Sequence, residues 1–492
     1  MTGLRRRDLL AGLMAGAAWP ALAEAPLGSP VPPARPERSA GAAPSAGLAE
    51  AIIAEAKLPG AAVSYLLMDA KSGDVLASRE PDRPMPPAST LKAITSLYAL
   101  GTLGAGHRFA TRILVTGPVR AGRVEGDLIL AGGGDPALST DDLGDLAAAV
   151  RAAGVLSVAG RFLVWGGALP YLPEIDRAQP EWLGYNPAVS GLNLNFNRVN
   201  FTWARGGDGY RVGFDARAER FAPAVEMARM KVVARDLPIF TYADGGRTED
   251  WTVAQAALNK DGSRWLPVRR PDLYAGDVFH TLMTAQGVKL DRPEVLASLP
   301  PGATVLRGHE SAPLPEVLRD MLKFSTNMTA ETVGMAASMV RGAKSHAASA
   351  RAMAAWLAAG IGRQGAHFVD HSGLGGASRV SAVEMAEALR LLGPGAGLGG
   401  LMKPVKFKDA KDLGSVRAPQ RVAAKTGTLN FVSGLVGYMT TAAGEERVFA
   451  IYAADVARRD AVPPGDRENP PGASSWAKRA RRMELRLIGS WA

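Results

Sequence analysis

Pro87-Ala88-Ser89-Thr90-Leu91-Lys92-Ala93-Ile94-Thr95-Ser96-Leu97-Tyr98-Ala99-Leu100 opens on a segment that halts before a helix and continues into one that propagates it. Leu91, Ile94, Leu97, Tyr98 and Leu100 recur at helical spacing, so a helix is expected to start at Ser89. Lys92 stands one turn on, on the same face. There its amine can fold back to the Ser89 hydroxyl and, once desolvated, act as its base. Backbone N–H groups at a helix start point at any oxyanion formed beside that hydroxyl. S-x-x-K is therefore the pattern of an acyl-transfer nucleophile. It is equally the pattern of a capped helix followed by a solvated lysine, and a second copy, Ser475-Trp476-Ala477-Lys478, shows how little the spacing decides alone.

Composition sets the frame. At 492 residues, with 47% apolar and 21% charged content, the chain suits a globular enzyme of two or three domains. The formal charge of +10 is spread along the chain, without the basic clusters interleaved with aromatics that nucleic-acid binding needs, and is read as general surface chemistry. Residues 1–23 read as an export signal. Arg6-Arg7 precedes an apolar run, Ala11 to Leu22, too short to span a membrane, and Ala21-Leu22-Ala23 offers small residues for cleavage. The paired arginines look like a twin-arginine signal, and the apolar run suits Sec export as well. Absence of cysteine excludes disulfides and thiol chemistry. No later apolar run is long enough for a stable transmembrane anchor, so the product is expected in the periplasm; oligomeric state is left open.

From the helix outward, residues 24–47 read as a Pro/Ala-rich flexible linker. A helical stretch from Leu48 and a hairpin, Ala61 to Ser78 turning at Lys71-Ser72-Gly73-Asp74, precede the Ser89 helix. Residues 101–311 differ in texture, with short strands, a glycine turn at Gly132-Gly133-Gly134-Asp135-Pro136, a helix over Asp141 to Ala153, a nested small unit over about 200–266 and a closing helix near Tyr274 to Gln286. The glycine run lacks the Lys-Ser/Thr of a phosphate loop. Helices are then expected at Leu314 to Phe324, Ala347 to Ala359 and Ala382 to Leu392. A meander follows, Val422 to Thr428, Val432 to Thr441 and Arg447 to Ala454, with turns at Leu429-Asn430 and Ala443 to Glu446, and then a terminal helix, Ser475 to Ile488.

Acyl transfer on a peptide needs a second proton carrier, a group for the substrate amide and a cation for a carboxylate. Ser325 and Asn327, two apart beside a helix, can present a hydroxyl and an amide on one wall. Lys425-Thr426-Gly427-Thr428 lies inside a strand, where Gly427 permits close approach of a substrate backbone. The order S-x-x-K, S-x-N, K-T-G is met only by Ser89, Ser325 and Lys425, the decoys Lys71-Ser72-Gly73 and Ser475 falling outside it.

With these motifs the chain resembles the penicillin-recognising serine enzymes. The interval of about 230 residues between Lys92 and Ser325 narrows the resemblance to class C low-molecular-mass penicillin-binding proteins, the D-alanyl-D-alanine carboxypeptidase/endopeptidase family. It extends over the mature chain through Gly126-Asp127-Leu128 to Asp135-Pro136, Ser325 to Glu331, Asp370 to Leu374 and Ala424 to Thr428. What it implies is an α/β fold of the α+β type: a split transpeptidase-like domain, 48–100 and 312–492, with an antiparallel sheet flanked by helices and a large mainly-β insert. It implies that Ser89 attacks a D-alanyl carbonyl, Lys92 takes its proton and Ser325 relays it to the leaving amine. The N–H groups of Ser89 and Thr428 then hold the oxyanion, Asn327 binds the acyl-side amide, and Lys425, Thr426 and Thr428 receive the terminal carboxylate. No cofactor or metal is implied. The partners are a peptidoglycan peptide as substrate and β-lactams as covalent inhibitors. The chain departs from the family's common Asp-Gly-Ser-Gly-Leu at His371, read as a bland loop histidine, and no acidic residue reading a stem-peptide amine is placed near Glu181 to Tyr185.

Two other readings stay open here: a β-lactamase-like hydrolase sharing the three motifs, and a non-catalytic penicillin or cell-wall binding protein. Of the six histidines only His367 and His371 stand four apart, as His-Phe-Val-Asp-His in a turn-rich loop without the helical H-E-x-x-H pattern of a metal hydrolase, and there is no G-x-S-x-G elbow.

Overall fold

The computed structural model describes residues 46–207, 209–407, 416 and 418–492; the expected export signal and all of the linker but its last two residues lie outside them. A six-stranded antiparallel sheet carries the first part of the chain next to the last. Its order is Lys403–Pro404, Arg421–Leu429, Val432–Thr440, Glu446–Ala454, Ala62–Asp69, Val75–Arg79. Both faces are covered. Along Ala62–Asp69, Tyr65 and Leu67 face one apolar cluster while Leu66 and Met68 face the other, and Glu446–Ala454 alternates likewise. Such strands read as continuous apolar runs because neither face meets water. The terminal helices Ala46–Glu55 and Ala473–Ser490 close one face through Ile52, Trp476, Met483 and Leu487. The other lies under Leu91–Leu103, Leu314–Phe324, Asn327–Val340, His346–Ile361 and Ala382–Glu387, the last continuing as a π-turn over Ala388–Leu392.

The insert departs and returns side by side. Ala110–Val115 pairs antiparallel with Thr304–Glu310, Ala110 opposite Glu310, and Leu314 N–H donates to His107 O. A long insertion hung on one strand pair leaves the host sheet undisturbed, since the closing entropy of a loop grows only slowly with its length. These two strands belong to a five-stranded mixed sheet, packed by the helices Thr140–Ala152 and Pro271–Ala285. The stretch read as a nested small unit forms two three-stranded sheets, whose Phe201, Phe240 and Trp251 share one apolar cluster with Leu128, Leu143 and Phe279. Helix Pro271–Ala285 does not close the insert, as had been expected: the strand Thr304–Glu310 comes after it, an edge strand largely exposed and without an apolar rhythm. The turn between the first two meander strands is Asn430-Phe431, one residue later than expected, with Phe431 at φ 58°.

Candidate active site

Ser89 sits in a single 3-10 turn, Ala88–Thr90, that runs into the helix Leu91–Leu103. Ala88 is fully buried and held at φ 46°, a left-handed conformation that costs a non-glycine residue on the order of 1–3 kcal/mol. The packing around it enforces the strain. Gly373 (φ 77°) lies so close that a Cβ there would stand 1.8 Å from Ala88 O, and a Cβ on Gly427 would stand 2.7 Å from Pro87 O. Gly427 is thus required by the Ser89 turn pressed against its strand, a nearer cause than the passage of a substrate backbone expected from sequence.

Lys92 is completely buried. Its Nζ donates to Ser89 Oγ at 3.0 Å, Asn327 Oδ1 at 2.7 Å and Ser372 O at 2.8 Å. Burial pushes its pKa down to about 8 against the opposing pull of Asp370 and Glu331. The Ser89 contact then serves both ways, the ammonium donating to Oγ and the neutral amine able to accept its proton.

Ser325 caps helix Leu314–Phe324 in the left-handed region (φ 60°, ψ 37°), and Asn327 begins the next helix. The sharp reversal between two helices aims both side chains into the cleft. Ser325 Oγ accepts from Lys425 Nζ at 3.0 Å, and that amine also donates to Thr426 O at 2.7 Å. Burial, then the charges of Lys92 and Lys403, hold the Lys425 pKa well below its ordinary value. Asn327 Nδ2 donates to the backbone carbonyl of Tyr185 in the insert, 2.9 Å away.

Ser89, Ser325, Asn327 and Thr428 line one cavity of about 660 Å³. Along the strand Lys425 and Gly427 are buried, whereas Thr426 and Thr428 are exposed, as the pleat requires. Thr426 is not among the cavity residues, and what it offers Lys425 is its carbonyl. The decoys stay out: Ser72 Oγ turns to Asp74, and Ser475 Oγ to Gly472 O. His371 is a core residue. It is fully buried, stacked on Tyr98, bonded to Ser349 Oγ at 2.6 Å, and pushed down to about 3 by burial, hence neutral.

Sequence reading missed the cavity's far wall. Asp176, Gln179 and Tyr185 come from the insert, and Arg459 and Arg467 from beyond the meander. The two sides are fastened by Glu468, which accepts from Trp182 Nε1 (2.7 Å) and Arg264 Nη2 (2.6 Å). Behind the insert wall Arg269, nearly buried, donates to the carbonyls of Pro173, Glu181 and Asn186 and so fixes the loop that bears Asp176 and Tyr185. Main-chain carbonyls such as those of Tyr185 and Ser372 leave no mark in a sequence. Among the described residues no group of His, Asp and Glu could hold a metal ion.

Comparison with known proteins is consistent across kinds. The model of the D-Ala-D-Ala carboxypeptidase 3 (S13) family matches residues 45–468. A D-alanyl-D-alanine carboxypeptidase of Actinomadura sp. (strain R39) is 30% identical over 80% of this chain and 78% of its own length. The D-alanyl-D-alanine carboxypeptidase DacB of Haemophilus influenzae is 24% identical over 80% and 86%. Among solved structures, penicillin binding protein 4 (dacB) from Haemophilus influenzae superposes with a TM-score of 0.71 at 20% identity, covering 89% of this chain and 99% of that one, and so shares the fold.

Proposed function

The chain belongs to the D-Ala-D-Ala carboxypeptidase 3 (S13) family, and from that premise we propose that it cleaves D-alanyl bonds of peptidoglycan stem peptides through an acyl-enzyme on Ser89. It is a serine-type D-Ala-D-Ala carboxypeptidase or DD-endopeptidase. One observation carries the assignment of roles: three motifs far apart in sequence meet at one cavity, Lys92 touching both Ser89 and Asn327 while Lys425 touches Ser325.

In this reading neutral Lys92 takes the Ser89 proton as Oγ attacks the D-alanyl carbonyl, with the N–H groups of Ser89 and Thr428 at the oxyanion. Ser325, bonded to Lys425, returns a proton to the leaving amine, and water then releases the acyl group. Asn327 holds the acyl-side amide, while Lys425 and Thr428 receive the terminal carboxylate. An arriving carboxylate favours the protonated form of Lys425, reversing the depression that burial imposes. Thr426 serves the same end through its carbonyl, which accepts from Lys425 Nζ and holds that amine beside Ser325. A β-lactam is expected to acylate Ser89 without prompt release. We place the protein in the periplasm, exported by its N-terminal signal; no helix among the described residues is long and apolar enough to cross a membrane. The division into a split catalytic domain, 48–100 and 312–492, around an insert of 101–311 is supported by the adjacency of the insert's two ends.

The test is mass spectrometry of wild type and Ser89→Ala with penicillin and with a peptide ending in D-Ala-D-Ala. A stable adduct and D-alanine release are expected for wild type only. Release by Ser89→Ala at the wild-type rate sinks the proposal, and rapid turnover of penicillin by wild type gives it over to a β-lactamase.

A further inference from the structure

All three acceptors around Lys92 are neutral: a hydroxyl, a side-chain amide oxygen and a peptide carbonyl. The nearest carboxylates stand one step back. The carbonyl that meets Nζ at 2.8 Å belongs to the peptide joining Ser372 to Gly373, and the N–H of that same peptide donates to Asp370 Oδ1 at 2.9 Å. An unbroken line therefore runs from the Lys92 amine through one polarisable amide to a carboxylate.

We propose that Asp370 is a positioning residue that acts on Lys92 through the Ser372–Gly373 peptide, stabilising the positive charge that appears on Nζ when Ser89 gives up its proton. The proposal rests on Lys92 being the base. Only one proton moves, from Ser89 Oγ to Lys92 Nζ; the peptide and Asp370 exchange none.

Three features of the loop support this. Both Asp370 oxygens face N–H donors, Gly373 on Oδ1 and Gly375 on Oδ2; these and the Lys92 charge favour the ionised carboxylate against burial and the Glu331 charge, which push its pKa up to about 7, so Asp370 is charged over the upper part of the pH range in which Lys92 works. Asp370 is 5% exposed, so little solvent screens its charge from Lys92. The peptide cannot drift, because Gly373 is wedged against Ala88 O of the nucleophile turn.

The arrangement has a chemical logic. A carboxylate bonded directly to Nζ would fix the ammonium and leave no base. A charge transmitted through one amide favours the ammonium less, so the amine survives in the resting enzyme and its protonation is still assisted. The charged groups facing Lys92 are Asp370, Glu331 from helix Asn327–Val340 and, with opposite effect, Lys425 from the cleft strand; His371 beside them is neutral. Glu331 is 1% exposed and takes the N–H groups of His371 and Ser372, which belong to the two preceding peptides and not to the one that meets Lys92.

That distinction supplies the test: the second-order rate constant for acylation by a fluorescent penicillin, from pH 5.5 to 10, in wild type, Asp370→Asn and Glu331→Gln. Asp370→Asn is expected to move the acid limb down by roughly half to one pH unit, because the ammonium loses its support. Its plateau should fall roughly three- to tenfold, because the amine becomes a weaker base. Glu331→Gln should move the limb less. An unmoved limb in Asp370→Asn, or a shift in Glu331→Gln as large or larger, overturns the proposal. Should Asp370→Asn not fold, the Gly373 amide in wild type is followed by NMR over the same range. A resonance that titrates with the acid limb is expected, and one that stays silent across it overturns the proposal. Adduct formation at Ser89 is scored separately by mass, so failure of the Ser89 assignment is not mistaken for failure of the link to Asp370.

Discussion

The half that carries Ser89 and the insert both bury charge, and they put their buried cations to different uses. Around the cavity Lys92 and Lys425, both at most 2% exposed, meet the hydroxyls of Ser89 and Ser325, while Glu331 and Asp370, at most 5% exposed, hold main-chain N–H groups behind Lys92. In the insert buried charges of both signs serve the main chain, Asp277 pairing with Arg292 as well. Glu249 takes the N–H groups of Arg269 and Arg270 (2.8 and 2.7 Å), Asp277 those of Glu226 and Met227 (2.7 and 3.1 Å), and Arg269 three carbonyls. Burial of a charge therefore does not mark a reactive site. What marks it is a cationic amine within reach of an accessible hydroxyl, with no carboxylate directly on the amine.

The contrast can be broken most forcibly at Lys92. Lys92→Met should lower the penicillin acylation rate by on the order of 10³–10⁴-fold in stopped flow, in line with loss of a member of a catalytic unit. Glu249→Gln, an equally buried change in the insert, should leave that rate within about twofold, and a large fall there would erase the distinction. Next in size, Gly373→Ala imposes φ 77° on alanine and drives its Cβ against Ala88 O. A stability loss above about 3 kcal/mol by urea denaturation is expected, and a loss under about 1 kcal/mol would mean the loop is free to retreat. Wild-type acylation should then follow the neutral fraction of Lys92. With burial holding that amine at about 8, the rate constant falls about tenfold per pH unit below pH 7 and levels off above pH 9; a profile flat from pH 6 to 9 would exclude Lys92 as the titrating base.

A smaller effect comes from Glu249 itself, which burial pushes up to about 7. Between pH 4.5 and 7 the folded state then binds more protons than the unfolded one, so its contribution to stability declines as pH rises through that window. Glu249→Gln, fixed in the neutral form, should melt with wild type at pH 4 and be more stable than it by roughly 1–3 kcal/mol at pH 8. Destabilisation at pH 8 would mean the charge is supported better than its surroundings suggest. Least of all, Glu468→Gln removes the partly exposed pair with Arg264 that fastens the cavity's far wall. Global stability should change by less than about 1 kcal/mol, and KM for a peptide substrate should rise more than kcat falls; a fall in kcat alone would detach that wall from substrate binding.

What the sequence disclosed follows from where information sits in it. The meander was legible to within a residue or two because Val432–Thr440 and Glu446–Ala454 are largely apolar, packed on both faces and bounded by turn residues. Helix Leu314–Phe324 was legible to the residue because its buried positions, Leu314, Val317, Leu318, Met321 and Leu322, keep strict helical spacing. The strand Thr304–Glu310 was not, since an edge strand facing water has no rhythm to read. The same holds at the cavity. Ser89, Lys92, Ser325, Asn327 and Lys425 declare themselves by side-chain chemistry at short spacing, and the structure brings them together. The carbonyls of Ser372 and Tyr185 and the roles of Asp370 and Glu331 depend on the path of the backbone, which residue types do not encode. Arg459 and Asp176 reach the cavity from segments about 280 residues apart, with no local pattern to join them.

The bond from Asn327 to the Tyr185 carbonyl bears on how such a protein can change. A segment of some 200 residues that enters and leaves through neighbouring strands looks detachable, a module to be trimmed or exchanged between cousins. Yet one of its carbonyls completes the hydrogen bonding of an amide that also holds Lys92 Nζ. A chimera assembled at the two seams would inherit a misaligned Asn327 unless residues 173–186 travelled with their host and kept Arg269 beneath them. Descent in this lineage is therefore expected to alter the remote sheets of the insert freely while that short arc and its arginine change together or not at all.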